Sequence, residues 1–425
     1  MKIKKITSGA LQFTVFIAVL IALLLSGLIL YAYTFGYFKE QSKATIENIQ
    51  LSNSGINYLL SQPEVSTDTL LLDLIKKENQ TIQVYLSTWG VFQKAFVKTT
   101  HRKKIFTKTG IIGSLIDSEK SPTLFLQETY NPLTLVGNTK IIGNAYLPTQ
   151  GVKPGYIAGQ SYYGAQLIYG KIEKSGASLP KINKDLLEQL FAYQNTNEYV
   201  NQDNFTDIVL SKNIVNSFKL KTRKVNSESA IVLENVKISG NIIIKSNKLI
   251  KVKKSAVLKD IILIAPIIEI ENGVFGNFQA IASKKIMVGK NCQLNYPSAL
   301  VLCQENKPQA TLSEDRFDNQ IFIDSKTQIK GCVCYFQKNS IENFKTQIVL
   351  EENAKIKGEV YCEGSFELKG SVSGSVFTKQ FVANQTGSVF VNHIYNGEIE
   401  NKNIPSFFGG IIFDKQQKII VKWLY

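Results

Sequence analysis

The chain is poor in histidine, methionine and tryptophan, with 2 of each in 425 residues. A histidine-rich metal centre or a haem site takes its ligands from the first two types, so the composition argues against both, and no cofactor is expected. Acidic residues are also outnumbered, because 34 Asp and Glu against 49 Lys and Arg leave a formal charge of +15. An excess of this sign indicates an anionic partner, such as a membrane, a polysaccharide or a nucleic acid, or serves solubility alone.

Charge is missing altogether from residues 10–38, a stretch of 29 residues. About 20 apolar residues span the core of a bilayer, whereas a cleaved secretory signal has an apolar region of only about 7–15 residues. Residues 1–38 therefore predict a basic leader followed by a transmembrane helix. The aromatic residues at its end suit the membrane interface: Tyr31, Tyr33, Phe35, Tyr37 and Phe38.

Lysines flank this span unequally. Lys2, Lys4 and Lys5 precede it, and Lys39 and Lys43 follow it. Because cytoplasmic flanks carry the excess of Lys and Arg, we expect a single-pass protein of a bacterial cell membrane. Its N-terminus is expected in the cytoplasm and the rest of the chain outside it.

Apolar residues continue at helical intervals after the span. Residues 39–62 therefore predict a continuation of the same helix, to about 50 residues and about 75 Å. The residues that carry this pattern are Ala44, Ile46, Ile49, Ile56, Leu59 and Leu60.

The short basic leader ending in Gly9, followed by the apolar run 10–13, resembles the N-terminus of type IV pilins and type II secretion pseudopilins. The resemblance implies that the leader is removed between Gly9 and Ala10. Most pilins carry a glutamate five residues after the cut, where this chain has Thr14, and apex pseudopilins and some minor pilins also lack it. The alternative is an ordinary single-pass anchor.

An 18-residue repeat dominates the C-terminal part. Segments 249–252, 267–270 and 285–288 recur at this spacing. In the same register Ala256 aligns with Val274 and Cys292, and Ile264 aligns with Ala282 and Leu300. Residues 18 apart are therefore expected to lie side by side.

A second motif reads polar, apolar, any residue, glycine, any residue, apolar. Its alternation is typical of a short strand, and its glycine permits a bend at a corner between strands. The copies that contain Gly331 and Gly358 lie 27 residues apart, which a loop inserted into one coil explains. The predicted corner glycines are Gly143, Gly240, Gly331, Gly358 and Gly370.

Short strands in a fixed register bury no apolar face alone, but stacked on one another they enclose a continuous core. The sequence therefore predicts a mainly β protein, with a right-handed parallel β-helix over residues 229–395. A β-sandwich is the alternative, but it shows turns every ~8–12 residues without a fixed register.

At these glycine corners, the C-terminal part resembles the bactofilins, polymer-forming bacterial proteins built as a β-helix of short coils. The resemblance implies self-assembly. The chain departs from bactofilins by its span, its middle region and its last residues.

The other segments have patterns of their own. Residues 63–132 predict a small juxtamembrane α+β domain, with a helix at 67–78 and antiparallel strands at 81–115. Residues 133–228 predict an early coil with a loop and helix insertion, of which the Gly- and Tyr-rich stretch 150–170 is a surface loop. Residues 396–425 predict a cap or tail, with apolar stretches at 407–408, 411–413 and 419–425.

Cysteines occur only in the repeat region. Cys332 and Cys334 point to the same face of a strand, and no histidine near them completes a zinc site. Small buried core residues are the favoured interpretation, with a disulfide or a thiolate metal site as alternatives. The five are Cys292, Cys303, Cys332, Cys334 and Cys362.

Basic residues cluster at 101–104 and 245–259. A solvated turn and strand face are favoured, with lipid headgroups or an anionic glycan as alternative partners. No aromatic residues alternate with these lysines, so nucleic acid binding is not expected.

Catalysis is not expected either. Only His101 and His393 are available for a nucleophilic triad, and no phosphate-binding glycine loop occurs. Paired carboxylates suit glycoside chemistry, but none of the pairs recurs at the coil spacing: Glu269/Glu271, Asp315/Asp318 and Glu351/Glu352.

These patterns predict a non-enzymatic, membrane-anchored structural or assembly protein of a bacterial envelope. Small residues in the span allow close approach of helices: Ser8, Gly9, Ala10, Ser26 and Gly27. A minor pilin or pseudopilin of a pilus or secretion machine is one alternative. A surface protein that binds or degrades polysaccharide is another.

Overall fold

A computed structural model of the chain describes residues 9–62, 68–72, 80–101, 104–117, 121–193, 203–204, 212–305, 319–338, 345–402, 404–414 and 416–424. Among these residues 54% are in strands and 17% in helices, so the predicted mainly β class is confirmed. Helices are α1 (Gly9–Ser61) and α2 (Lys184–Ala192). The chain forms two compact units: the first holds the residues up to Ile56 with Leu70–Val84 and Val97–Thr107, and the second holds Asn57–Thr69, Tyr85–Phe96 and Lys108–Tyr425.

Helix α1 runs unbroken for 53 residues, through the predicted span and its predicted continuation. In the first unit its second half packs on strands. Ala44 and Leu51 are buried, and Gly55 lies so close to Val97 that a Cβ there would press on the valine. Polar contacts fix the same face, because Asn48 Nδ2 donates to the Lys104 carbonyl at 3.2 Å.

An antiparallel sheet follows α1. Its strands are β1 (Leu70–Leu72), β2 (Gln80–Trp89), β3 (Phe92–His101), β4 (Lys104–Leu115), β31 (Gly409–Gly410) and β32 (Lys418–Leu424), numbered in chain order. The order is β1-β2-β3-β4, and β31 and β32 both pair with β4.

The helix predicted at 67–78 is wrong where the structure describes it. Leu70–Leu72 forms β1 and pairs antiparallel with β2, Leu70 opposite Val84. The physical reason is that a strand satisfies the backbone groups at the edge of β2, which a helix does not. Residues 73–79 lie outside the described residues.

Parallel strands make up most of the second unit and close into a barrel that carries extra strands. They are β5 (Leu124–Leu126), β7 (Lys140–Ile142), β8 (Ala145–Leu147), β12 (Ile172–Lys174), β13 (Asp203–Asn204), β14 (Asn213–Asn216), β15 (Arg223–Ser227), β16 (Ile231–Leu233), β17 (Lys237–Gly240), β18 (Ile242–Ser246), β19 (Leu249–Val252), β20 (Val257–Ile270), β21 (Phe275–Val288), β22 (Gln293–Glu305), β23 (Gln320–Ile323), β24 (Gln328–Lys338), β25 (Ile348–Leu350), β26 (Lys355–Leu368), β27 (Ser371–Gln385), β30 (Glu398–Glu400), and β28 (Ser388–Val391), which pairs antiparallel with β27. A three-stranded sheet, β6 (Leu133–Val136), β9 (Val152–Pro154) and β29 (His393–Tyr395), and a hairpin, β10 (Tyr156–Ile157) and β11 (Gln160–Ser161), complete the unit.

The 18-residue register is present in the pairing. Leu249 pairs with Ile267, which pairs with Lys285. The alignment expected for Ile264, Ala282 and Leu300 is wrong, because Ile264 pairs with Ile281 and Ala282 pairs with Leu302. Irregularities on both sides of these segments, one of them at Asp260, shift the register there.

Glycine corners recur where strands cross from one side of the barrel to the next. Gly331 pairs with Gly358, and Gly358 pairs with Gly374. The predicted corner Gly370 does not belong to this series, because the coil between Gly358 and the next corner is short and Gly374 takes the position. Gly370 lacks a positive φ and is instead crowded by the Ala354 carbonyl. The other predicted glycines have positive φ: +124° at Gly143, +99° at Gly240, +142° at Gly331 and +141° at Gly358.

Substitution of Gly374 by alanine tests the corner. Gly374 has a φ of +149°, and an added Cβ would overlap the Gly358 carbonyl oxygen. We expect Gly374→Ala to lower the free energy of unfolding by about 3–5 kcal/mol, from backbone strain and overpacking together. Gly387 is the matched control, because its φ of +78° is also positive while the space around it is open. Gly387→Ala is expected to cost only about 1–2 kcal/mol. Equal effects in denaturant titrations of the two variants would contradict a packed corner.

One coil of the barrel joins segments that are far apart in the chain. β30 lies between β27 and β7, with Ile399 paired to both Val372 and Ile141. Next to it, β5 pairs with β27 and β8. The predicted early coil therefore stacks on the last C-terminal coil, and not in front of residue 229.

The inner core is a single cluster, mostly of Ile, Leu, Val and Ala, with a few Phe, Cys and Tyr side chains. Its end near β12 is covered by the Gly- and Tyr-rich stretch predicted as a surface loop, since Tyr162, Leu167 and Ile168 pack against the cluster. The predicted cap at 396–425 is placed differently. Within it, β30 joins the barrel, β31 and β32 pair with β4, and the apolar residues Ile411, Ile412 and Val421 are buried.

Candidate functional site

The first half of α1 is apolar and exposed. Phe16 is 64% exposed, Leu24 62% and Tyr33 73%. The helix is long and apolar enough to cross a membrane. Its serine and threonine hydroxyls are satisfied within the helix, because Thr14, Ser26 and Thr34 donate to carbonyls three or four residues earlier. A helix that satisfies its own polar groups is compatible with a hydrocarbon environment.

Gly9 begins α1 and Ala10 lies in its first turn, both exposed. Cleavage between them stays a prediction. Of the small residues proposed for helix association, Ser26 and Gly27 are exposed too, and Ser8 lies outside the described residues.

The outer side of the barrel carries a second apolar core, the flank cluster. Alternate residues of β24 show how it arises: Val333 and Tyr335 point into the inner core, while Cys332, Cys334 and Phe336 point outward. The outward residues contact the antiparallel sheet, α2 and the C-terminal segment. The buried members are Trp89, Val91, Phe92, Ile111, Leu179, Ile182, Leu186, Leu190, Tyr193, Phe218, Ile243, Ile262, Ile264, Ile281, Ala299, Val301, Cys303, Cys332, Cys334, Phe336, Tyr361, Phe377, Ile411, Ile412, Phe413, Val421 and Leu424.

Polar contacts fasten the C-terminal segment 404–424, here named the clasp, to the barrel. The Tyr296 hydroxyl accepts from Gly409 N at 2.7 Å, and its ring stacks on Phe408 at 4.0 Å between centroids. Lys422 forms an ion pair with Asp260. The clasp therefore ties β4 and the barrel together within the second unit.

Glu359 is the most unusual group beneath the clasp. Its side chain points outward into the flank cluster, is 2% exposed, and accepts a hydrogen bond from Ile411 N at 2.7 Å. Its neighbours on adjacent strands are Cys332 and Ser375. Burial raises the pKa of this carboxyl to about 8, against which the hydrogen bond from Ile411 acts weakly. Glu359 is therefore a buried acid that holds its proton at neutral pH.

The five cysteines are all free and buried. Cys303, Cys332 and Cys334 belong to the flank cluster, and Cys292 and Cys362 to the inner core. Burial raises the pKa of each thiol, which keeps them protonated and unreactive. The favoured interpretation as core residues fits this placement. Across the described part of the chain, no group of three or more His, Cys, Asp and Glu side chains is arranged to hold a metal ion.

The predicted basic runs do not form single patches. Lys245 is buried, and Lys251 and Lys253 pair with Glu269 and Glu271 on the next coil, both at 3.2 Å. In the first unit, His101 lies 3.2 Å from Glu47, and Lys104 Nζ donates to the Gln41 carbonyl at 3.0 Å. Residues 102–103 and the pair Asp315/Asp318 lie outside the described residues.

Glu351, from the other predicted carboxylate pair in the described residues, also forms an ion pair between coils. Glu351 pairs with Lys369 at 2.9 Å, and Lys369 is 3.3 Å from Glu367. Both contacts are partly buried, because Lys369 is 23% exposed, Glu351 25% and Glu367 6%, and the first links neighbouring coils.

Sequence patterns missed Glu359 and Gln279. Gln279 occupies an outward position that the neighbouring coils fill with Ile262 and Ala299. Glu359 lies between Cys332 and Ser375. Gln279 is 3% exposed, accepts from Val91 N and donates to the Trp89 carbonyl, both at 2.9 Å, and so holds the turn between β2 and β3. For Gln279 the signal in the sequence was a polar residue that interrupts an apolar series at the coil spacing.

Neither a model of a protein family, nor a curated protein, nor a solved structure matches this chain. Its function must therefore be argued from its own residues.

Proposed function

We propose that the protein is a non-enzymatic, membrane-anchored structural protein of a bacterial envelope. In this proposal α1 crosses the cell membrane once, with a cytoplasmic N-terminus, and the barrel is a right-handed parallel β-helix outside the cytoplasm that takes part in assembly. The observation that carries it is the exposed apolar half of α1.

Exposure of this size needs an apolar partner. Nearly every large apolar residue from Leu11 to Phe38 is more than one third exposed, including Ile17 at 38% and Tyr33 at 73%. Burial of one such side chain contributes about 1.5–3 kcal/mol, so a helix of this kind left in water is strongly unfavourable. A bilayer buries all sides of the helix at once.

The β-helix proposal rests on the pairing. Segments 249–252, 267–270 and 285–288 lie side by side, and Ile321 pairs with Ile348 at the longer spacing of 27. A chain that returns to pair parallel with its preceding coil winds in one direction, and parallel crossovers are right-handed in about 98% of cases.

Anchoring and orientation are testable with one added thiol. The native cysteines are buried, so a membrane-impermeant maleimide reports only Lys355→Cys, at an exposed position of β26. We expect the chain to resist alkaline extraction from membranes and the variant to be labelled in intact spheroplasts, with the wild type unlabelled. Extraction at alkaline pH would exclude an integral anchor, and labelling only after lysis would reverse the orientation.

Assembly needs a separate measurement. Sedimentation of the full chain in mild detergent, with chemical crosslinking in native membranes, is expected to give species larger than the monomer. A strictly monomeric chain in both experiments would argue against assembly.

A minor pilin or pseudopilin is the second candidate function. The observation that favours it is a continuous helix whose first half is exposed and apolar and whose second half packs on strands of the first unit. N-terminal sequencing of the protein from membranes separates the two: a new terminus at Ala10 supports the pilin-like role, and an intact leader excludes it.

A further inference from the structure

A cleft with a volume of ≈ 620 Å³ lies on the outer side of the barrel. One wall is formed by Gln337, Tyr361, Glu363 and Lys379, and the other by the segment 178–187 that leads into α2. Ligand clefts in proteins measure about 300–1,000 Å³. The clasp contributes Asp414 to the lining, and the cleft has room for a small ligand.

Charge in the cleft favours an anion. Lys181, Lys184 and Lys379 line it together with Glu363 and Asp414. Three lysines against two carboxylates give the lining a formal excess of one positive charge. The ammonium groups therefore leave a net positive charge for a ligand to neutralise.

The exposed ion pair at the rim does not cancel this charge. Lys184 is 3.5 Å from Glu188, but the two side chains are 85% and 67% exposed. Such a pair contributes little to stability. Lys184 therefore exchanges Glu188 readily for a negatively charged group of a ligand.

Other groups in the cleft suit hydroxyls and an apolar ring face. The Gln127 amide is held in place by its hydrogen bond to the Ala177 carbonyl at 2.9 Å, and the Gln337 amide donates to the Glu363 carbonyl at 2.7 Å. Leu179, Ile182 and Leu187 supply apolar contact from the opposite wall. A simple inorganic anion uses the lysines alone, whereas a sugar acid uses all three kinds of group.

We propose that this cleft binds a sugar acid, as one hexuronate unit of an acidic polysaccharide. Its carboxylate lies among Lys181, Lys184 and Lys379, its hydroxyls bond to the amides and carboxylates of the walls, and its C–H face packs on the apolar side chains. The inference goes beyond the anchoring role and adds a ligand to it.

The test compares a fluorescently labelled trimer of glucuronic acid with a glucose trimer, on the full chain in detergent. We expect the acidic trimer to bind at least about tenfold more tightly, and Lys379→Met and Lys181→Met each to weaken it about five- to tenfold. Lys355→Met is the matched control, because it removes an equal charge from an exposed position outside the cleft and is expected to leave binding unchanged. Unchanged melting temperatures of the variants show that the fold is intact.

A competition experiment separates a sugar site from an anion site. Gln127→Leu is expected to weaken glucuronate while leaving inorganic phosphate unaffected. The proposal is overturned if both trimers bind equally or not at all, if Lys355→Met weakens binding as much as Lys379→Met, or if phosphate competes as well as monomeric glucuronate.

Discussion

Deletion of residues 405–425 is expected to unfold the flank cluster while the inner core of the barrel persists. The deletion removes large apolar side chains that are at most 6% exposed: Phe408, Ile411, Ile412, Phe413, Val421 and Leu424. At about 1.5–3 kcal/mol for each buried side chain, their loss amounts to about 10 kcal/mol or more, comparable to the stability of a whole domain.

The maleimide reactivity of each cysteine measures this unfolding separately for the flank cluster and for the inner core. In the full chain all five thiols are expected to resist maleimide, because all five are buried. In the truncated chain Cys303, Cys332 and Cys334 become reactive, while Cys292 and Cys362 stay protected in the inner core. Mass spectrometry after short labelling distinguishes the two groups.

Point variants in the clasp give a milder control. Phe413 is 6% exposed and Phe407 is 56% exposed, so Phe413→Ala is expected to cost about 3–5 kcal/mol and Phe407→Ala much less. If the truncated chain keeps its melting temperature and all five thiols stay unreactive, the clasp does not cover the flank.

Stability is expected to fall as pH rises from about 4.5 to about 8, through Glu359. The unfolded carboxyl ionises near 4.5, whereas burial raises the folded pKa to about 8. Below pH 4.5 the Glu359 carboxyl is protonated in both the folded and the unfolded state, so it does not lower the free energy of unfolding. Between the two values only the unfolded state releases the proton, so the free energy of unfolding falls, by up to about 5 kcal/mol above pH 8.

Glu359→Gln removes this dependence, because glutamine accepts the Ile411 hydrogen bond without ionising. We expect the variant to become more stable than the wild type when both are unfolded by urea at pH 8.5, and the difference to shrink at pH 5.5. Glu269→Gln, at a partly exposed ion pair, is the control for general charge effects. A difference between wild type and Glu359→Gln that does not change with pH would mean that this carboxyl ionises normally.

Local sequence patterns predict contacts between neighbouring coils. The apolar run of residues 10–38 predicts a helix long enough to cross a membrane, and the 18-residue repeat predicts that Leu249 lies beside Ile267, because both depend on spacing along one short stretch of chain. The corner at Gly370 failed for the same reason: a motif read alone does not reveal that a shortened coil moves the corner to Gly374.

What the sequence by itself determined is the apolar helix, the dominance of β-strands and the register of segments 249–252, 267–270 and 285–288, since periodicity encodes which side chains share a face. Only the tertiary structure decided that β30 joins β7, that the clasp pairs with β4 and covers Cys332, and that Glu359 lies buried beneath Ile411. These contacts join residues tens to hundreds of positions apart, and they depend on which surfaces remain uncovered after each coil has formed. The burial of apolar surface over the whole molecule decides which of these surfaces pair. The spacing of residues along one short segment does not encode it.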